Sequence, residues 1–62
     1  MKEEVDKYVG KVFNYPIQGG VMNVRVRVID VKRSWGQLRF QIIPLLGTGT
    51  MWTENIEEVI EP

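Results

Sequence analysis

Sixty-two residues suffice for one domain, and a chain this short buries only about 60% of the surface it exposes when unfolded, so its stability rests on a small core. The chain has no cysteine and no histidine, which excludes a disulfide and leaves zinc without its preferred thiolate and imidazole ligands. Eight basic and eight acidic residues cancel, so the strong positive balance of most nucleic-acid-binding domains is missing, and no apolar run approaches the roughly 20 residues of a membrane helix.

Met1-Lys2-Glu3-Glu4 lacks the apolar run of a secretory signal. With the missing cysteines, this predicts a soluble cytoplasmic protein. Residues 1–7 read as a flexible N-terminal segment ahead of a domain over 8–62, although Val5, Tyr8 and Val9 fall at helical spacing and allow a short turn. Tyr8 to Tyr15 is expected as the first strand, stopped by Pro16, with Ile17-Gln18-Gly19-Gly20 as a loop.

The next stretch, Val21-Met22-Asn23-Val24-Arg25-Val26-Arg27-Val28-Ile29-Asp30-Val31-Lys32, is the most informative in the chain. Val24, Val26 and Val28 alternate with Arg25 and Arg27, the period of a strand buried on one face and wet on the other. The apolar neighbours Val28 and Ile29 break that period, which predicts a β-bulge. Arg33-Ser34-Trp35-Gly36-Gln37 is short enough for a hairpin into a second alternation, Leu38-Arg39-Phe40-Gln41-Ile42. The expected core face of this hairpin is Val24, Val26, Val28, Leu38, Phe40 and Ile42. Pro44 to Gly49 is a turn-rich linker and Thr50–Thr53 a short fourth strand. Asn55 to Glu58 reads as one helical turn capped by Asn55, and Val59-Ile60 as a fifth strand.

Gly10-Lys11-Val12 opening the first strand, the long bent second strand, the Ser34-Trp35-Gly36 hairpin, and Trp52 ahead of Asn55-Ile56-Glu57-Glu58-Val59 together resemble a Src-homology-3-like small β-barrel of the Tudor or KOW kind, over about Val9 to Ile60. Pro44, Gly47, Gly49 and Trp52 also resemble the ending of small barrel proteins encoded by phages. The likeness implies an all-β, five-stranded barrel with a single helical turn before the last strand. An OB-fold is the structural alternative, but it usually needs more residues and a longer helix.

Charge is segregated along the chain: residues 1–10 carry −1, residues 11–41 carry +5 and residues 42–62 carry −4. The basic middle supplies the binding candidates Arg25, Arg27, Lys32, Arg33 and Arg39. Arg25, Arg27 and Arg39 share outward parity, and Arg39 is expected as a cross-strand neighbour of the other two, a face suited to phosphates or an acidic partner. The plainer reading, a solvated face with arginine stems over apolar surface, is preferred. Trp35 at a hairpin tip is either a binding anchor or a lid over the sheet edge, whereas Trp52 is expected in the core. The Tudor likeness would make Tyr15 and Trp35 part of an aromatic cage, but two aromatics do not complete one. Leu45 and Leu46 cannot both turn inward, so at least one is exposed or meets a second copy.

Gly47-Thr48-Gly49-Thr50 lacks the lysine and following helix of a phosphate-binding loop. Type II dihydrofolate reductase shows that such a barrel can catalyse as an oligomer, but no counterpart to its pore motif is present. The reading is therefore a non-enzymatic binding module without cofactor, metal or membrane contact. A protein partner or self-association comes first, and DNA or RNA on the basic face is the alternative.

Overall fold

The computed structural model describes residues 2–60; Met1, Glu61 and Pro62 lie outside the described residues. The order of elements is a short helix α1 (Lys2–Tyr8) and four strands, β1 (Val12–Ile17), β2 (Met22–Ser34), β3 (Gln37–Pro44) and β4 (Met51–Thr53), with a 3-10 turn at Gln18–Gly20. The strands form one antiparallel sheet in sequence order. The fold is thus mostly β. Three expectations need correction: the described strands number four rather than five, the sheet is open rather than closed into a barrel, and residues 55–58 are not helical.

The missing fifth strand has a local cause. Thr53 is buried and its hydroxyl accepts the Asn55 amide at 3.0 Å, so the side chain of Thr53, not Asn55, organises this turn. The chain then crosses to the outer edge of β1, where Asn14 and Glu57 exchange two backbone hydrogen bonds of 2.8 Å. That single bridge is all that Val59 and Ile60 follow; neither is in a strand.

Pro16 lies inside β1, opposite Asn23. In this register Asn14 turns its backbone groups away from β2, toward Glu57, and so does Pro16 two residues on. The proline thus sits where no ladder donor is needed, and it blunts the edge. Tyr8 belongs to α1 rather than to a strand, and Gly10, at φ 86°, ends the helix in the left-handed conformation common at such caps.

Strand β2 is long and bent as the sequence predicts: its register against β3 shifts between Val28 and Asp30. The extra residue there, Ile29, is exposed, which lets Val28 and Val31 both point inward. The core is Val26, Val28, Val31, Phe40 and Ile42, with Val24 and Leu38 packed at its margin. Of the six expected core residues, Val26, Val28, Phe40 and Ile42 are buried. Tyr8 caps this core with ring-centroid distances of 4.7 Å to Phe40 and 5.7 Å to Phe13. Helix α1 is further tied to β2 by an ion pair between Glu4 and Arg33.

Candidate functional site

Arg25 and Arg27 are exposed on the outer face of β2, opposite Asn14 and Val12 of β1. Arg39 is not their neighbour. The residue opposite Arg27 on β3 is Ile43, and Arg39 sits four residues farther along, opposite Lys32 beyond the bulge. At about 3.3 Å per residue, that separates Arg39 from Ile43 by roughly 13 Å. The basic candidates therefore form two groups on the outer face. Several of them are engaged within the chain. Arg27 donates to the Gly10 carbonyl at 2.6 Å, and Arg39 Nε lies 3.6 Å from a Glu54 carboxylate oxygen. The Lys32 ammonium sits 4.4 Å from the centre of the Trp52 ring, a cation–π distance. Arg33 lies near the hairpin end of β2, and the hydrogen bond from its guanidinium holds the Glu4 carboxyl below the usual carboxylate range.

Trp52 is not in the core. The register pairs it with Gln41, so it shares the outer parity of Arg39 and Gln41, while Thr53 takes the inward position opposite Phe40. Trp52 is half-buried under Lys32. Trp35 is 99% exposed at the β2–β3 tip, so it does not fold back over the sheet edge. Tyr15 pairs with Val24, on the inner face at the other end of β2. Tyr15 and Trp35 are therefore held far apart and do not share a cage.

The inner face holds a feature that the strand pattern alone does not reveal. Helix α1 and Ile56 cover the half of the sheet around Phe40 and Phe13. The other half is open. A groove of about 370 Å³ runs between the end of β1 and the segment leading into β4, walled by Tyr15, Ile17, Val24, Ile42, Pro44 and Met51. Thr48 and Thr50 supply hydroxyls at its rim. A shallower apolar depression formed with Leu45 and Leu46 adjoins it, sharing Val24 and Pro44. Among the described residues, five of the nine exposed large apolar side chains gather at this end: Val21, Met22, Leu45, Leu46 and Met51, with Leu46 wholly exposed.

A signal for this end does exist in the sequence, but it is compositional. A quarter of the chain is charged (26%), yet residues 12–24 and 40–53 contain no Lys, Arg, Asp or Glu at all. The sheet brings these two segments together, β1 and the start of β2 beside the end of β3 and β4. The result is a surface of aliphatic, aromatic and hydroxyl groups with Arg25 as the cation at its margin. Such a surface removes apolar side chains from water; it has no means of compensating a ligand charge in its interior.

Among the described residues, no three His, Cys, Asp or Glu side chains gather as a metal site would require, and no helix is long and apolar enough to cross a membrane. No protein-family model, curated protein or solved structure matches the chain.

Proposed function

We propose that the protein is a non-enzymatic protein-binding module that docks through its charge-free apolar end. The observation that carries this reading is the open groove over Tyr15, Ile17, Val24, Pro44 and Met51, with Leu45 and Leu46 exposed beside it. Contiguous apolar surface on a small protein is costly in water and marks an interaction site, and the core of a protein interface is depleted in charge in the same way. The groove's polar groups are the Tyr15 phenol and the threonine hydroxyls, which can orient a partner but are not set beside a general base.

The nucleic-acid reading ranks second. It is favoured by Lys32 and Arg39 lying directly opposite each other on the outer face. It is weakened by the intramolecular contacts of Arg27, Lys32, Arg33 and Arg39, because each must be exchanged for a phosphate contact.

A photo-reactive amino acid placed at position 46, and separately at position 32, tests the assignment in cells that express the protein. The expected result is protein adducts from position 46 and none from position 32. Adducts to nucleic acid from position 32, with position 46 silent, would overturn it.

A further inference from the structure

We infer that the apolar end receives its partner as an extended peptide strand, added to the free edge of β4 with alternate side chains in the groove; this rests on the docking reading above and names the chemistry of the partner. Three observations carry it. The first is the contrast between the two edges of the sheet. Along β1 the edge is closed by the Asn14–Glu57 bridge and blunted by Pro16. Among the described residues, no strand or bridge covers the outer edge of β4. Bare edges pair with foreign strands, and proteins guard them with charge, proline or a covering segment. Residues 45–53 contain neither a charged residue nor a proline.

The second is the phase of the backbone. In an antiparallel ladder, successive residues aim their N–H and C=O groups at opposite sides. The Leu45 amide donates to the Arg25 carbonyl of β2 at 3.1 Å. Counting back, Ile43 and Gln41 also face β2, whereas Ile42 and Phe40 face β4 and pair with Met51 and Thr53. Between those two residues, Trp52 turns its N–H and C=O off the free edge. One donor and one acceptor there fit the main chain of an extended peptide, and an apolar side-chain surface alone would leave both unpaired.

The third is the placement of the groove. Residues 48–51 wall it on the β4 side and Tyr15 and Ile17 on the β1 side, so it opens on the inner face just beyond that edge. A strand added to β4 lies about 4.8 Å from it and turns every second side chain to the inner face. Those side chains enter the groove beside Met51, and the ones between them lie on the outer face next to Trp52. No charged residue lines the groove, so it selects uncharged, apolar residues at the alternate positions. The partner is therefore a β-prone segment with apolar residues two apart and no proline at the pairing position.

Short random peptides displayed on phage and selected on the immobilised full chain supply the probe. Selected peptides should share apolar residues at every second position. The tightest of them, synthesised with a fluorescein label, is titrated with the protein by fluorescence anisotropy. Methylating its amide nitrogens one at a time should weaken binding at least about tenfold at alternate residues and spare those between them. On the protein, Trp52→Pro removes the edge N–H without taking a donor from the sheet, and Trp52→Val removes the indole but keeps that N–H. Trp52→Pro should weaken binding at least about tenfold and Trp52→Val less than about threefold. Met51→Glu should abolish binding by placing a charge in the groove. A variant that loses the native circular dichroism spectrum is set aside, and the methylation scan, which leaves the protein unaltered, then decides. Peptides that no single methylation weakens, or that bind Met51→Glu as well as wild type, would overturn the inference, as would equal damage from Trp52→Val and Trp52→Pro. Peptides repelled by Met51→Glu but indifferent to methylation sink only the added strand and keep the docking reading. Failure to select any peptide sinks the added strand as well; protein adducts from position 46 then leave the docking reading standing, and their absence sinks both.

Discussion

Trp35 occupies a backbone conformation that suits asparagine or glycine, not a bulky aromatic. It has φ 53° and the next residue, Gly36, φ 75°, so both central residues of the two-residue turn are left-handed, as in a type I′ hairpin. Its side chain makes no compensating contact, being 99% exposed. Trp35→Asn should therefore stabilise the fold by about 1 kcal/mol, read as a higher urea midpoint with an unchanged slope. A loss of stability would mean that the indole packs on the sheet after all. The ion pair of Glu4 with Arg33 makes a second residue-scale prediction. The hydrogen bond from Arg33 lowers the folded-state pKa of Glu4. A carboxyl depressed on folding contributes stability that is present above its unfolded pKa and lost as pH falls through the folded value. The difference in urea midpoint between wild type and Glu4→Gln should be present at pH 7 and shrink as the pH falls below the ordinary carboxylate range. A gap of constant size into acid would assign it to packing rather than to the ion pair.

At the scale of elements, the β2–β3 hairpin was the most legible part of the chain. Its alternating valines and arginines, the break at Val28-Ile29 and the Trp-Gly turn each had a local cause, so periodicity sufficed to place them. Val31 joined the core because the bulge restores inward parity three residues after Val28, a consequence of the bulge that simple alternation does not show. Elements decided by long-range contacts were not legible. Trp52 is large and apolar, yet the register with β3 puts it outside under Lys32, while the smaller Thr53 goes inside. The helical turn expected at residues 55–58 gave way to the buried Thr53 hydroxyl and the bridge to Asn14. The sequence marks the apolar end by Leu45, Leu46 and two charge-free segments, but it does not show the groove, which joins segments distant in sequence. The hairpin core itself is testable: Phe40→Ala should cost about 3–5 kcal/mol and leave little folded protein at 25 °C. Arg27→Ala should leave the urea midpoint near the wild-type value, since its hydrogen bond to Gly10 is exposed. The reverse order of effects would mean that the two faces of the sheet are exchanged.

For the molecule as a whole, balanced charge and occupied cations predict weak attraction for polyanions. Binding to mixed-sequence DNA should be no tighter than about 10⁻⁴ M at physiological salt. Micromolar binding that weakens steeply with salt and disappears in Arg27→Glu would instead make the outer face the working surface. The whole molecule also has an order of assembly written into its topology. The β2–β3 hairpin closes over two turn residues, while the bridge between Asn14 and Glu57 joins the most widely separated pair of backbone partners in the described chain. Closing the longer loop costs more chain entropy and is rewarded by only two hydrogen bonds. The hairpin should thus form early in folding and the C-terminal crossing last. In the native state the crossing should also open first. The Glu57 and Asn14 amides should then exchange with solvent deuterium through a local opening, long before the amides of Val28 and Phe40, which require global unfolding. The C-terminal crossing is therefore a kinetic latch on the sheet, releasable while the hairpin core stays intact.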